Sequence, residues 1–133
     1  MPRYVIAPAA AADIESILAW SHEHFGVEAR VRYEALIVQG ILDVASSPDR
    51  AGVHKRPEIA DDARTYHLYA SCRRVTAATG RVKEPRHFLL FRTRADGAIE
   101  IGRVLHDSMD LAIHLPEEYR SPATGGEDPE ADR

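Results

Sequence analysis

Between residues 8 and 46 the apolar positions recur at helical spacing, and beyond Pro48 they recur at strand spacing. A short β-prone run, Arg3–Ala7 (RYVIA), leads into Pro8, whose fixed φ and missing donor suit a strand-to-helix junction. Ala9–Ala12 favour helix, with Asp13 and Glu15 near its positive end. Ile14, Ile17 and Leu18 share one stripe, and Gly26 after Phe25 is placed to end the helix. A second helix is predicted from about Glu28 to Ser46, because Tyr33, Leu36, Ile37, Ile41 and Val44 fall at i, i+3, i+4, i+8 and i+11. Ser46-Ser47-Pro48-Asp49 closes it. Two helices with so short a connection predict an antiparallel hairpin.

The second half alternates differently. Ala51–Ala63 is loop-like, with Gly52, Pro57 and the consecutive acids Asp61 and Asp62. Arg64–Ala70 is rich in β-formers and places Tyr66 and Leu68 on one face. Arg73–Glu84 is polar and basic, with Gly80 as a turn. His87–Phe91 is apolar on both faces, the mark of a central strand. Asp96-Gly97 then joins it to Ile99–Leu105, a hairpin signal. Asp107, Ser108 or Asp110 is placed to cap a short helix reaching Leu115, stopped by Pro116. The order predicts an α+β fold, a helical hairpin packed on a small antiparallel sheet, with Ile17, Leu18, Leu36, Ile37, Ile41, Leu89 and Phe91 in its core. Residues 1–116 form one domain in this reading, and 117–133 an acidic tail expected to be flexible and dispensable for folding, since Ser121–Arg133 has no apolar residue larger than alanine.

Composition narrows the function classes. No run approaches the roughly 20 apolar residues of a membrane span, the N-terminus lacks signal-peptide character, and Cys72 stands alone. A cytoplasmic protein is expected. The net charge of −4 hides a segregation: residues 50–94 carry eleven Lys and Arg against four acids, net +7, while 1–49 net −4 and 95–133 net −7. A basic middle between acidic flanks predicts either a positive patch or an ordinary solvated face. His22 and His24 point different ways from one helix, and neither Cys-x-x-Cys nor His-Glu-x-x-His spacing occurs, so no metal or other cofactor is expected. Arg64, Tyr66, His67, Tyr69, Arg73 and Arg74 interleave bases with aromatics, which suits either single-stranded nucleic acid or a strand with one wet face. The neighbouring arginines would lower the Cys72 pKa, but no partner base is identifiable.

The opening frame Tyr4-x-Ile6-x-Pro8-x-Ala10-x2-Asp13-Ile14-x2-Ile17, then Phe25-Gly26, resembles that of the ParE/RelE superfamily of toxin–antitoxin toxins. So do Pro85–Arg92 with Asp96-Gly97, and, most strongly, Arg103-Val104-Leu105-His106-Asp107-Ser108-Met109-Asp110 with His114-Leu115. The resemblance covers about residues 3–116 and departs at the longer segment Ala70–Glu84. It implies a ParE-like plasmid-stabilisation toxin that poisons DNA gyrase by protein contact, held inactive by a ParD-like antitoxin. The alternatives are a RelE-like, ribosome-dependent mRNA endonuclease, or an inactive relative retained for antitoxin binding.

RNA cleavage through the 2′-hydroxyl needs a base, an acid and positive charge on the phosphate. His106 with Arg81, Arg86 and Arg92 is the candidate set, Lys83 adding charge, and the reading preferred for His106 is a capping or packing residue bonded to Asp107 or Asp110. The candidate binding surface combines Trp20, Phe25 and Val31, which fall off the main helical stripes with Val27 and Val38, and Arg86, Arg92, Arg103, His106, Met109 and Asp110.

Overall fold

A computed structural model describes residues 3–109. Its elements run β1 (Tyr4–Ile6), α1 (Pro8–Phe25), α2 (Val27–Ser46), β2 (Val53–Lys55), β3 (Arg64–His67), a 3-10 helix (Leu68–Arg74), β4 (His87–Thr93) and β5 (Ile99–His106). This is the expected α+β arrangement of a helical hairpin on a sheet. Pro8 sits in the first turn of α1, and Gly26, at a φ of 94°, is the whole connection between the helices.

The sheet has five strands in the order β1-β5-β4-β3-β2. β2 to β5 pair antiparallel, whereas β1 lies parallel to β5, with Tyr4 opposite Ile99. The sheet is therefore mixed rather than wholly antiparallel as expected, because the N-terminal strand adds to it parallel at the β5 edge. β4 is central, as its apolar faces predicted. Two boundaries moved. Val53–Lys55, expected as loop, adds an edge strand on β3. β3 stops at His67, whose Nδ1 accepts from the Tyr69 amide and turns the chain into the 3-10 helix.

Leu18, Leu36, Ile37, Ile41, Leu89 and Phe91 are buried as expected, joined by Tyr66, Leu68 and Ile101 between hairpin and sheet. Ile17 is only partly buried at its edge. On the opposite face, Leu90 and Leu105 pack with Ala63, Ile59, Ala60 and Phe88, so the loop before β3 closes the back of the sheet.

Two contacts set how deep α2 sits. Gly40 allows close approach: a Cβ there would lie 2.6 Å from Leu68 Cδ2. One turn on, Asp43 is 2% exposed and receives hydrogen bonds from Gln39, Ser71 and Arg74, while Tyr66 meets Ser71 at 2.7 Å. A buried carboxylate is tolerated when donors surround it. α1 is fastened separately, through Asp13, which accepts from Arg103 Nε, Arg103 Nη2 and the Val104 amide. No helix among the described residues is long and apolar enough to cross a membrane.

Leu36 and Phe91 are essentially inaccessible, so truncating either to Ala removes contacts that nothing can replace. Each is expected to cost about 2–5 kcal/mol in urea unfolding. A loss below about 1 kcal/mol for both would contradict this core, since even milder core truncations cost as much.

Candidate functional site

The candidate residues fall into two groups. One is the outer side of the hairpin. On α2, Val27, Val31, Val38 and Leu42 are all exposed and fall at i, i+4, i+11 and i+15, within one narrow stripe. That stripe lies outside the buried arc of Leu36, Ile37, Ile41 and Val44, and extends about 22 Å along the helix. At the hairpin tip, Trp20 stacks on His24 with ring centroids 4.0 Å apart and meets Phe25 edge-on at 5.5 Å. Trp20 is 53% exposed and Phe25 68%. His24 Nδ1 lies 2.9 Å from the Trp20 carbonyl oxygen, which fixes the ring in the stack. Leu42 belongs to this stripe and is visible only on extending the pattern of Val27, Val31 and Val38 by one more turn.

The second group lies where β3 ends, β4 begins and β5 ends. Asp107 accepts from Arg86 Nε and Nη2 and from His67 Nε2, and its amide donates to the Arg86 carbonyl at 2.8 Å. Arg86, and then His67, hold the Asp107 carboxyl well below the usual carboxylate range. His67 Nδ1 is taken by the Tyr69 amide, so the neutral Nε2–H tautomer satisfies both contacts. The Tyr33 hydroxyl accepts from the Arg86 amide at 3.1 Å, leaving its proton for His87 Nδ1 at 2.6 Å. Burial pushes Tyr33 up to about 12, and burial, then the nearby His106, brings His87 down to about 4. The His87 and His106 rings meet edge-to-face at 5.3 Å. His106 Nδ1 faces the Ser108 amide at 3.1 Å and the Ser108 hydroxyl at 2.8 Å, and Asp107 at 3.6 Å.

His106 thus sits in a polar cluster that the sequence did not assemble around it: Tyr33 looked like one more apolar stripe position, and His67 like one more strand residue. Of the candidate cleavage set, only Arg86 joins it. Arg92 pairs with Glu100 near the far end of β4, and Arg81 folds onto the Val75 and Arg73 carbonyls. Arg103, offered for binding, is held by Asp13. Met109 is exposed beside the cluster, and Asp110 and the helix expected up to Leu115 lie outside the described residues. The interleaved set also divides: Tyr66 is buried, Arg64 pairs with Asp49 and Arg74 with Asp43, leaving Tyr69 exposed. Cys72 is buried, and that burial raises its pKa rather than lowering it. Among the described residues no group of three or more His, Cys, Asp or Glu could hold a metal ion.

The family model for the ParE toxin of the parDE type II toxin–antitoxin system matches residues 4–111, from β1 past this cluster. The chain belongs to the ParE toxin family. Toxin ParE1 of Mycobacterium tuberculosis, in strains CDC 1551 / Oshkosh and H37Rv, is 25% identical over 113 residues, 85% of this chain and 97% of that protein. The shared length takes in both the hairpin and the sheet end of this ParE fold.

His87 generates a pH dependence with a definite sign. Unfolded, it takes its proton near 6.5; folded, only near 4. Its stabilising contribution is present above about pH 6.5 and is lost as pH falls through about 4. His106, Asp107, His67, Asp13 and Tyr33 are the charged or titratable groups around it. The urea midpoint is expected to fall between about pH 7 and pH 5 in the native chain and to fall less in His87→Gln. Equal slopes in both would show that His87 is not held neutral.

Proposed function

We propose that this chain is the toxin of a parDE-type pair that acts by binding a protein target and is neutralised by a ParD-like antitoxin. DNA gyrase is the target that the family resemblance implies, which makes the cytoplasm its place of action. The observation that carries this reading is the second apolar stripe of α2, Val27, Val31, Val38 and Leu42, with Trp20 and Phe25 at the hairpin tip. Exposed apolar side chains aligned along one helix face mark an interaction site, and an amphipathic partner helix laid along α2 would bury them.

A RelE-like cleavage reading draws on one observation, the approach of His106 and Arg86 to Tyr33 and His87. Against it, Asp107 already neutralises Arg86, and the Tyr69 and Ser108 amides already occupy Nδ1 of His67 and of His106. The cluster supports an end-lock on the sheet better than an acid–base pair.

A supercoiling assay with purified gyrase and a cleavage assay on translated mRNA separate the two. Expected are inhibition of supercoiling by the native chain, at least tenfold weaker inhibition by Val31→Asp/Val38→Asp in a chain that still melts cooperatively, and intact mRNA. A tenfold loss corresponds to about 1.4 kcal/mol of binding. Cleavage of translated mRNA that vanishes in His106→Ala would reverse the reading.

A further inference from the structure

Residues 75–86 cross α2 as a strap. Val75 is buried and Val82 packs on the core, which anchors the strap from beneath. Its turn is closed by hydrogen bonds from the Thr79 amide to the Thr76 carbonyl and from the Gly80 amide to the Ala77 carbonyl. Gly80, at a φ of +95°, lies on Arg32: a Cβ there would be 2.7 Å from Arg32 Cδ. Arg81 folds back to the Arg73 carbonyl at 3.3 Å, and Lys83 and Arg86 follow along the strap. The longer middle segment, where the sequence departs from compact relatives, therefore gathers cations from α2, the 3-10 helix and itself.

Most of these cations differ from most others in the fold. Arg50, Arg56, Arg64, Arg74, Arg86, Arg92, Arg94 and Arg103 each have a carboxylate within 4.0 Å. Among the described residues, Arg30, Arg32, Lys55, Arg73, Arg81 and Lys83 have none, and four of these six, Arg32, Arg73, Arg81 and Lys83, belong to the strap or to the elements against it. Like charges gathered along one segment repel unless a counter-charge is supplied. A single-stranded nucleic acid would supply phosphates, but such sites also present stacking rings. Here Tyr66 is buried and Tyr69 is the single exposed tyrosine of the 3-10 helix, one ring rather than the row of rings on which successive bases stack. Carboxylates fit better.

The chain carries them itself. Residues 110–133 hold seven acids against Arg120 and Arg133, and six of the seven lie in 117–132. The segment starts from Met109, whose amide bonds the His106 carbonyl at the same sheet end as Arg86 and Asp107. Glu117 lies eight residues beyond Met109, an extended reach of up to about 26 Å. A tethered segment of this kind acts at an effective concentration in the millimolar range. We propose that the acidic segment 117–132 docks on the basic strap through Arg32, Arg73, Arg81 and Lys83, occupying it until an acidic partner displaces it. This does not depend on the toxin's target or on the cleavage reading.

The test compares the full chain with a full chain carrying E117Q, E118Q, E127Q, D128N, E130Q and D132N, by amide NMR. Amides of Arg73 and of residues 76–84 are expected to differ between the two at about 20 mM salt and to coincide at about 500 mM, where the Debye length is a few ångströms. A peptide of residues 117–133 added to the neutralised chain should restore the same shifts, and Arg73→Glu/Lys83→Glu should abolish them. Coincident spectra at low salt, or peptide shifts that fall elsewhere, would overturn the proposal. So would a uridine oligonucleotide that moves the strap amides equally in both chains, which would assign the strap to nucleic acid.

Discussion

The hairpin presents apolar side chains on more than one side, while the sheet has a single face free to receive them, because the loop through Ile59–Ala63 closes the other against Leu90 and Leu105. α2 feels this most. Gly40 lets it settle onto Leu68, and Asp43 fixes that depth through Ser71 and Arg74. Once that contact is made, the helix cannot rotate to share its burial between two stripes. Leu36, Ile37, Ile41 and Val44 go in, and Val27, Val31, Val38 and Leu42 stay out. The outward stripe is thus a consequence of how the inward one is locked.

Exposing four large aliphatic residues and a Trp–Phe tip disfavours a lone monomer in water, since each costs burial the chain could otherwise gain. The arrangement makes physical sense for a protein that completes its surface with another molecule. The sheet end makes the opposite choice. There Asp107, Arg86, His67, Tyr33 and His87 satisfy one another, so this cluster needs no partner to be stable. A ParE toxin built this way has a self-sufficient polar end and an apolar flank that is not.

Much of this was legible from the residues. Both helices followed from the spacing of Leu36, Ile37, Ile41 and Val44, and β4 with β5 from their apolar runs around Asp96-Gly97. The exposure of Trp20, Phe25 and Val31 followed from the same spacing. What escaped depends on long-range partners. The parallel seat of β1 on β5 joins residues about a hundred apart, and no local pattern specifies it. The burial of Asp43 rests on Ser71 and Arg74, which reach it from the 3-10 helix. His106 looked isolated because Tyr33, His67 and His87 come from three different elements. Arg92 and Arg103 looked like free positive charge, and cross-element acids, Glu100 and Asp13, changed that.

Oxidative side-chain footprinting of the toxin, alone and bound to its antitoxin, addresses the outward stripe most directly. Trp20, Phe25 and Leu42 are expected to react readily in the free chain and to be strongly protected in the complex, with Leu36 and Phe91 unreactive in both. Trp20, Phe25 and Leu42 reacting equally in the two states would contradict the account, because the surface that the locking of α2 leaves open would then not be the one a partner covers.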